Sequence, residues 1–343
     1  MSGTQTTMAP SFTPKGANAV RILSIGIDIS KDKLDLAFLY TDNKHSKKFV
    51  FDNNDQGIRN IIKLFQKQGV NKEVPCVIES TGDYHLQCTL MLSQAGFEVK
   101  LINPLITKKY QNSSVRNTKT DPIDALRLAQ IGSMEPNLYS FRVDKETIVS
   151  KKLVSYLSHL ENAKQRMKNS LRQMREVEES IGIEMGLEES EKALELIDKQ
   201  IEELKKRIVA QAPKEAKELA DACPGLSREK ISILFSLISD KSFENRDQLV
   251  AFLGMDIALR KSGKWQGREK LTKRGSPIGR KTLYHIAWGL KQHNPEFQRY
   301  YERFIFERGK HYNTAMIALA RKFLKFLHAY YWEGVVNLES LSR

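Results

Sequence analysis

Four carboxylates and one serine are the residues of this chain whose types and spacing could do phosphoryl-transfer chemistry. Asp28 ends the apolar run Ile22-Leu23-Ser24-Ile25-Gly26-Ile27, and Glu79 ends a second run, Val74-Pro75-Cys76-Val77-Ile78. Asp121 and Asp124 open a helical segment in Lys119-Thr120-Asp121-Pro122-Ile123-Asp124-Ala125-Leu126. Acids at strand ends, joined by two acids at i, i+3 on a helix, can converge on hard divalent cations such as Mg²⁺. Two such ions clamp the attacking and leaving oxygens of a phosphate displacement. Ser262 lies far downstream in Arg260-Lys261-Ser262-Gly263-Lys264. Cations there can bind a phosphate and help stabilise a serine alkoxide, and Gly263 lets a backbone approach closely.

Taken singly, each residue has a structural explanation. Asp28 can cap a turn and Glu79 can be solvated. Asp121, with Pro122 in the first helical position and Asp124 in the first turn, is a good helix start. A Ser-Gly pair in a basic loop is by itself a turn. Ser276, in Lys273-Arg274-Gly275-Ser276-Pro277, competes with Ser262 and suits the cap of the following helix. The combination favours chemistry, because Asp28 sits in a run headed for burial. A buried carboxylate is costly unless a cation compensates it.

The elements that must position these groups are legible from periodicity. Ile25, Ile27 and Ile29 share one side of a strand, and Leu34, Leu36 and Phe38 repeat the period of two after the Lys31-Asp32-Lys33 turn. A short strand at 48–51, a helix at about 55–68, the strand ending at Glu79, a helix at about 84–95, a strand at 97–102 and the helix opening at Asp121 follow. Hairpin strands first, then alternating strands and helices, predict an α/β sheet of mixed direction over 21–140. Over 141–222, Leu153, Leu157, Leu160, Met167, Leu171 and Met174 keep a 4-3 spacing, with Lys164 interrupting the seam. Leu194, Ile197, Ile201, Leu204 and Ile208 repeat it after Gly182 and Gly186. This predicts an antiparallel coiled-coil hairpin, its seam buried against its own return helix or another protomer. Cys223-Pro224-Gly225-Leu226-Ser227 opens a third region, 223–331, which reads as helical to its end. Its Pro-Gly turn resembles a helix-hairpin-helix whose amides could face a phosphate. Residues 1–20, rich in Ser, Thr, Pro, Gly and Ala, read as a disordered tail and 332–343 as a C-terminal tail.

Charge separates the regions further. The net charge is +14, and residues 256–330 carry 17 Lys/Arg against 5 Asp/Glu, so nearly all of the surplus is there. With Trp265, Tyr284, Trp288, Tyr300 and Tyr301 interleaved, this is the footprint of a nucleic-acid partner rather than of a merely soluble surface. Arg260, Lys261, Lys264, Arg268, Lys270, Lys273, Arg274, Arg280 and Lys281 are the candidate phosphate contacts, and each would steepen the salt dependence of binding. Cys76, Cys88 and Cys223 are widely spaced, which indicates neither a disulfide framework nor a zinc site. No stretch reaches the roughly 18–20 apolar residues of a membrane span, and the first residues lack a signal-peptide core, so a cytoplasmic protein is expected.

Longer motifs carry a resemblance. Gly26-Ile27-Asp28-Ile29-Ser30-Lys31, Glu79-Ser80-Thr81-Gly82-Asp83-Tyr84, Asn103-Pro104 and the run Arg116-Asn117-Thr118-Lys119-Thr120-Asp121-Pro122-Ile123-Asp124-Ala125 are similar to successive motifs of the DEDD transposases of bacterial insertion sequences. Pro224-Gly225-Leu226, Phe243, Phe252-Leu253-Gly254, Ser262-Gly263, Lys273-Arg274-Gly275 and Arg280 resemble that family's C-terminal signature. The likeness runs from about residue 21 to 330. Met255-Asp256-Ile257 departs from the family's usual Leu-x-Pro, and Cys223 stands where an aliphatic residue is usual. The resemblance implies an RNase H-like, RuvC-type N-terminal domain, then a coiled coil, then a transposase domain. It implies that Asp28, Glu79, Asp121 and Asp124 hold Mg²⁺. Ser262 would attack the DNA backbone to leave a phosphoserine link, and Arg116 and Lys119 would join the nucleic-acid contacts. It further implies a homodimer assembling to a tetramer, donor and target DNA, and a structured non-coding bridge RNA.

Four readings follow. The first is an RNA-guided recombinase of a mobile element, and a site-specific DNA invertase is its close variant with the same chemistry. A junction-resolving endonuclease would use the carboxylates alone. An actin-like ATPase or sugar kinase would use Gly26-Ile27-Asp28-Ile29-Ser30 as a phosphate loop, against which count the C-terminal charge and the lack of a second Gly-rich loop. A non-enzymatic binder would be indifferent to Asp28→Asn.

Overall fold

A computed structural model describes residues 21–42, 46–80, 82–112, 121–135, 138, 140–141, 145–258, 261–262, 265–266 and 270–334. The expected tail at 1–20 lies outside them. The chain divides into two compact units, Met1–Arg142 and Val143–Arg343.

The first unit is built on a five-stranded sheet. β1 (Ile22–Ile29), β2 (Lys33–Tyr40) and β3 (Ser46–Asp52) form an antiparallel meander. β4 (Cys76–Glu79) joins β1 in parallel and β5 (Val99–Ile102) joins β4, giving the order β3-β2-β1-β4-β5. This is the mixed sheet that the hairpin-then-alternation pattern predicts. Helix α1 (Asp55–Lys67) starts at Asn54, whose side chain accepts the Gly57 N–H at 2.8 Å, and it buries Ile58, Ile61 and Phe65. Phe65 meets Phe38 of β2 and Phe97, with ring centroids 5.9 and 5.0 Å apart. Helices α2 (Leu86–Gln94), α3 (Pro104–Asn112) and α4 (Asp121–Met134) complete the unit.

Helix α4 packs on the other face, and small residues let it lie close. A Cβ on Gly26 would stand 1.9 Å from the Ala125 carbonyl oxygen and 2.5 Å from the Ala129 nitrogen. A Cβ on Gly132 would meet Val77 and the Ser24 hydroxyl at 2.4 and 2.5 Å. Gly26→Ala must therefore push α4 off the sheet. We expect about 1–3 kcal/mol of destabilisation in urea unfolding, the usual range for an overpacked core. An unchanged midpoint would contradict the contact.

The second unit begins with α5 (Lys145–Ile181) and α6 (Glu188–Ala210), an antiparallel hairpin. Ion pairs Arg175–Glu191 and Lys164–Asp198 tie the two helices, so the lysine that interrupts the seam has its partner on the return helix. Val154, Leu157, Ile201 and Ile208 are buried together with Ile233 of the next region. Val154 lies outside the predicted seam, while Met174, a predicted member, is 40% exposed. The seam buries its proximal half against a third helix, which widens the apolar stripe beyond two positions per heptad.

Helices α7 (Lys214–Ala222) and α8 (Arg228–Ile238) flank the Pro224-Gly225 turn, and α9 (Arg246–Phe252) follows. The expectation of helix to the end fails next. β6 (Ile257–Ala258) pairs with β9 (Lys270–Leu271), and β7 (Lys261–Ser262) with β8 (Trp265–Gln266), a nested antiparallel ribbon. Two-residue strands in a Gly- and Lys-rich stretch have too few positions to show a period of two. Helices α10 (Pro277–His293), α11 (Pro295–Glu302) and α12 (Tyr312–Tyr331) close the unit, with a π-helical turn at Arg303–Glu307. Gly225, with φ +83°, sits against Gly289 of α10, where a Cβ would come 2.4 Å from a carbonyl oxygen. That turn is used for packing. Trp332 and Glu333, read from sequence as tail, are anchored: Trp332 donates to the Lys241 carbonyl at 3.3 Å and Glu333 pairs with Arg246 at 2.7 Å. The large apolar ring of Trp332, packed against Phe243, explains why the packing of this unit continues past residue 331.

Candidate active site

The sheet gathers the acidic residues at one end. In β1, Ser24 and Gly26 face α4, so Asp28, two residues on, continues the same side. Gly26 is opposite Val77 in β4, and Val77 also faces α4, so Glu79 continues that side next to Asp28. The helix runs antiparallel to this row. Gly132 sits at Ser24 and Ala129 and Ala125 at Gly26, so its first turn, Asp121 to Asp124, is carried to the level of Asp28. Three of the four predicted acids thus share the ends of β1 and β4 and the start of α4. The fourth, Asp121, begins the helix, and its side chain lies outside the described residues.

A fifth carboxylate joins them. Asp35 of β2 is the register partner of Asp28 and only 8% exposed. Residues opposite one another in an antiparallel pair present their side chains on the same face. In sequence Asp35 looks like a solvent position between Leu34 and Leu36. It was missed because helices cover both faces of the sheet. The signal was available in the hairpin: Asp28 and Asp35 are equidistant from the centre of the Lys31-Asp32 turn.

Local hydrogen bonds hold these strand ends. The Ser30 N–H donates to the Lys33 carbonyl at 3.0 Å, closing the β1–β2 turn. The Asn53 amide donates to the carbonyls of Ser30 at 2.8 Å and Tyr84 at 3.2 Å, linking that turn to the loop after Glu79. Both the N–H and the hydroxyl of Ser80 donate to the Ile102 carbonyl, at 2.9 and 3.0 Å, which fixes the end of β4. Asp124 accepts from Arg127 one turn along at 3.0 Å, with both side chains mostly covered. A carboxylate has lone pairs to spare after one such bond.

Among the described residues no three His, Cys, Asp or Glu side chains are spaced to hold a metal. The donors at this end are nonetheless all carboxylate oxygens on rigid elements, the donor type that a hard cation such as Mg²⁺ prefers. The close approach permitted by Gly26 and Gly132 sets α4 against the strands, with its first turn at the same end of the sheet.

Ser262 belongs to the second unit. It pairs with Trp265, and the two residues between them, Gly263 and Lys264, lie outside the described residues, as does the Ser262 side chain. The serine is thereby placed beside the tip of the ribbon. The ribbon's base is well defined. A Cβ on Gly275 would stand 2.2–2.4 Å from the backbone of Phe252, Leu253 and Gly254, and Gly254 itself has φ +66°. The Thr272 N–H donates to the Asp256 carbonyl at 3.0 Å, and the Thr272 hydroxyl also reaches the Asp256 carboxylate. Two separated sequence motifs, Phe252-Leu253-Gly254 and Lys273-Arg274-Gly275, are therefore one structural joint. Met255-Asp256-Ile257 serves that joint through Asp256. Ser276 caps α10, accepting the Gly279 N–H at 3.1 Å, which gives it a structural task.

Two family models match the chain: "Transposase", of the DEDD type, over residues 25–176, and "Transposase IS116/IS110/IS902 family" over residues 217–302. The chain belongs to the IS110/IS116 transposase family. Two relatives match along most of their length: the pilin gene-inverting protein of Moraxella bovis, 26% identical over 320 residues, and that of Moraxella lacunata, 27% identical over 320 residues. Each match covers 89% of this chain and 94% of the relative. The family makes this a DNA-processing enzyme.

In this transposase the expected phosphate contacts divide. Lys273 and Arg274 are exposed at the ribbon's foot, and Lys273 has φ +55°, the only positive value among described non-glycine residues. Arg280 is half-buried and donates to the Gly275 carbonyl at 2.6 Å, while Lys281 pairs with Glu161 of α5 at 2.7 Å. Both thus have partners within the protein. Lys261 and Lys270 lie in the ribbon strands, their side chains outside the described residues. Arg116, Lys119, Arg260, Lys264 and Arg268 lie wholly outside them. Of the interleaved aromatics, Tyr284 and Trp288 are 39% and 49% exposed along α10, whereas Tyr300 and Tyr301 pack on the core. No described helix is long and apolar enough to cross a membrane.

Proposed function

We propose that the protein is an RNA-guided DNA recombinase of an insertion sequence, acting in the cytoplasm through Ser262 with the assistance of the DEDD carboxylates. The observation that supports this reading is that the register and packing put Asp28, Glu79 and the first turn of α4 at the same end of the sheet, with Asp35 opposite Asp28. Asp28, Glu79, Asp121 and Asp124 would hold Mg²⁺, which supplies stabilisation of charge on the reacting phosphate. The Ser262 oxygen forms a bond to phosphorus, its proton leaves, and a deoxyribose oxygen departs as a protonated hydroxyl. An incoming strand's hydroxyl reverses the step and frees the serine, so no cofactor is consumed. Lys261, Lys264, Lys270, Lys273 and Arg274 are the phosphate contacts of this reading, supported by the basic surplus around the serine.

In this reading, as the family resemblance implies, one subunit's acids serve another subunit's serine. Val177, Ile181, Ile183 and Leu196, 42–63% exposed at the distal end of the coiled-coil hairpin, support a dimer assembling to a tetramer. A structured bridge RNA would select donor and target DNA. Inversion is the second reading, favoured by the two relatives named for inverting a pilin gene. Its chemistry is the same, with both sites on one molecule.

The test is a denaturing gel of protein incubated with Mg²⁺, element-end DNA and RNA transcribed from the element's flank. A DNA-linked protein band supports serine recombination. Cleavage without such a band, unaltered in Ser262→Ala, would move the assignment to a junction-resolving endonuclease.

A further inference from the structure

The second unit contains a cavity of about 460 Å³ that the serine and the carboxylates do not use. Its size falls in the range of small-ligand sites. One wall is Ile257 and Leu271, the paired residues at the base of the Ser262 ribbon. The opposite wall comes from α11, the π-helical turn, the link after it and α12, and includes Tyr300, Phe304, Lys310 and Arg321.

Three observations say what would fit there. The first is cationic: Lys310 and Arg321 have no carboxylate partner among the described residues, and the Arg321 Nε is buried without a hydrogen-bond acceptor. A buried guanidinium donor left unsatisfied is costly, and a ligand oxygen would relieve it. The second is aromatic. Tyr300 and Phe304 line the cavity with centroids 5.2 Å apart, each held by a cation, Lys322 at 4.7 Å over Tyr300 and Arg308 at 4.7 Å over Phe304. The third is the backbone that presents Phe304. It is a π-helical turn, an unfavourable geometry that recurs at functional sites. Cations, ring faces and an apolar wall together match an anion attached to a flat heterocycle. A bare phosphate would leave the apolar wall unused.

We propose that this cavity takes one unpaired nucleotide, its base against Tyr300 and Phe304 and its phosphate at Arg321 and Lys310. The proposal rests on the reading of the protein as a nucleic-acid recombinase, and it names the form of substrate, a nucleotide out of the duplex. Because the occupant touches the Ile257–Leu271 pair, binding holds the foot of the ribbon that carries Ser262.

The experiment uses the full chain and fluorescence anisotropy with a short oligothymidylate, its oligouridylate counterpart and a blunt duplex. The variants are Arg321→Gln and Phe304→Ala. Arg321→Gln removes the Nε donor that has no acceptor, and duplex binding reports on any general damage to the fold. Single-strand affinity is expected to fall about tenfold in each variant, the usual scale of one base-stacking or phosphate contact, with duplex affinity unchanged. Loss confined to oligothymidylate identifies DNA as the source, and loss confined to oligouridylate identifies RNA. Thymidine monophosphate should compete better than inorganic phosphate. Equal binding of both oligomers by variant and parent protein, an equal fall in duplex binding, or equal competition by inorganic phosphate would overturn the proposal. The covalent-adduct gel is scored separately. An adduct with unchanged oligomer binding sinks the cavity alone, whereas a selective single-strand loss without any adduct sinks the serine chemistry alone.

Discussion

Ser262→Ala is expected to abolish the covalent protein–DNA product while leaving duplex binding within about twofold of the parent. Without the serine oxygen no protein–phosphorus bond can form, and what positioning and electrostatics still do for water is slow hydrolysis, which leaves no adduct. The serine carries no charge, so the salt-dependent part of DNA affinity, set by the number of phosphates neutralised, should not move. The ribbon should survive too. Its base is held by Gly254 against Gly275 and by Thr272 on Asp256, all remote from residue 262. The contrast with Ser276→Ala is informative. Ser276 caps α10, so its loss should cost about 1 kcal/mol of stability with the adduct still formed. Should Ser262→Ala still form the linkage, and Ser276→Ala fail to, the nucleophile has been assigned to the wrong serine.

How far the sequence foretold this arrangement depends on how many residues carried each signal. Strands β1 and β2 and helix α1 were legible because their apolar residues keep one period, Ile25, Ile27 and Ile29 and then Leu34, Leu36 and Phe38 at every second position and Ile58, Ile61 and Phe65 at helical spacing. Asp28 and Glu79 were legible as acids that end apolar runs. Asp35 was hidden by the same rule that exposed Asp28: a polar residue between two leucines reads as solvent-facing until a helix is known to cover that face. The β-ribbon was hidden for want of length, since two-residue strands hold their geometry through the joint at their base rather than through their own pattern. Lys281 and Arg280 were read as phosphate contacts from charge alone. Their partners, Glu161 and the Gly275 carbonyl, are 120 and 5 residues away, and only folding shows the first. Glycine was the least legible of all. Gly26, Gly254 and Gly275 each admit a neighbouring backbone where a Cβ would clash, Gly132 admits the Val77 and Ser24 side chains, and Gly26 and Gly132 set α4 against the sheet, none of which a sequence pattern shows.

Asp28→Asn should separate stability from chemistry. Asp28 and Asp35 are opposite one another, and like charges so placed destabilise a sheet by roughly 0.2–1 kcal/mol. Without divalent metal the amide variant should therefore melt at the parent's temperature or slightly above it. Adding Mg²⁺ should reverse the order. A cation that binds the folded acids stabilises the parent by mass action, about 2.7 kcal/mol at a hundred times its dissociation constant. That corresponds to several degrees in a domain of this size. The variant, lacking one ligand, should show little of the shift, and its yield of covalent adduct should fall by about 10²-fold or more, because the charge that Mg²⁺ offsets on the reacting phosphate goes unbalanced. Asp35→Asn tests whether the fifth carboxylate belongs to the same set: a matching loss of the Mg²⁺ shift makes it a ligand, and an intact shift makes it a neighbour that only tunes Asp28. If Mg²⁺ raises the melting temperature of Asp28→Asn as much as that of the parent, the cation binds elsewhere and the sheet end is not the metal site.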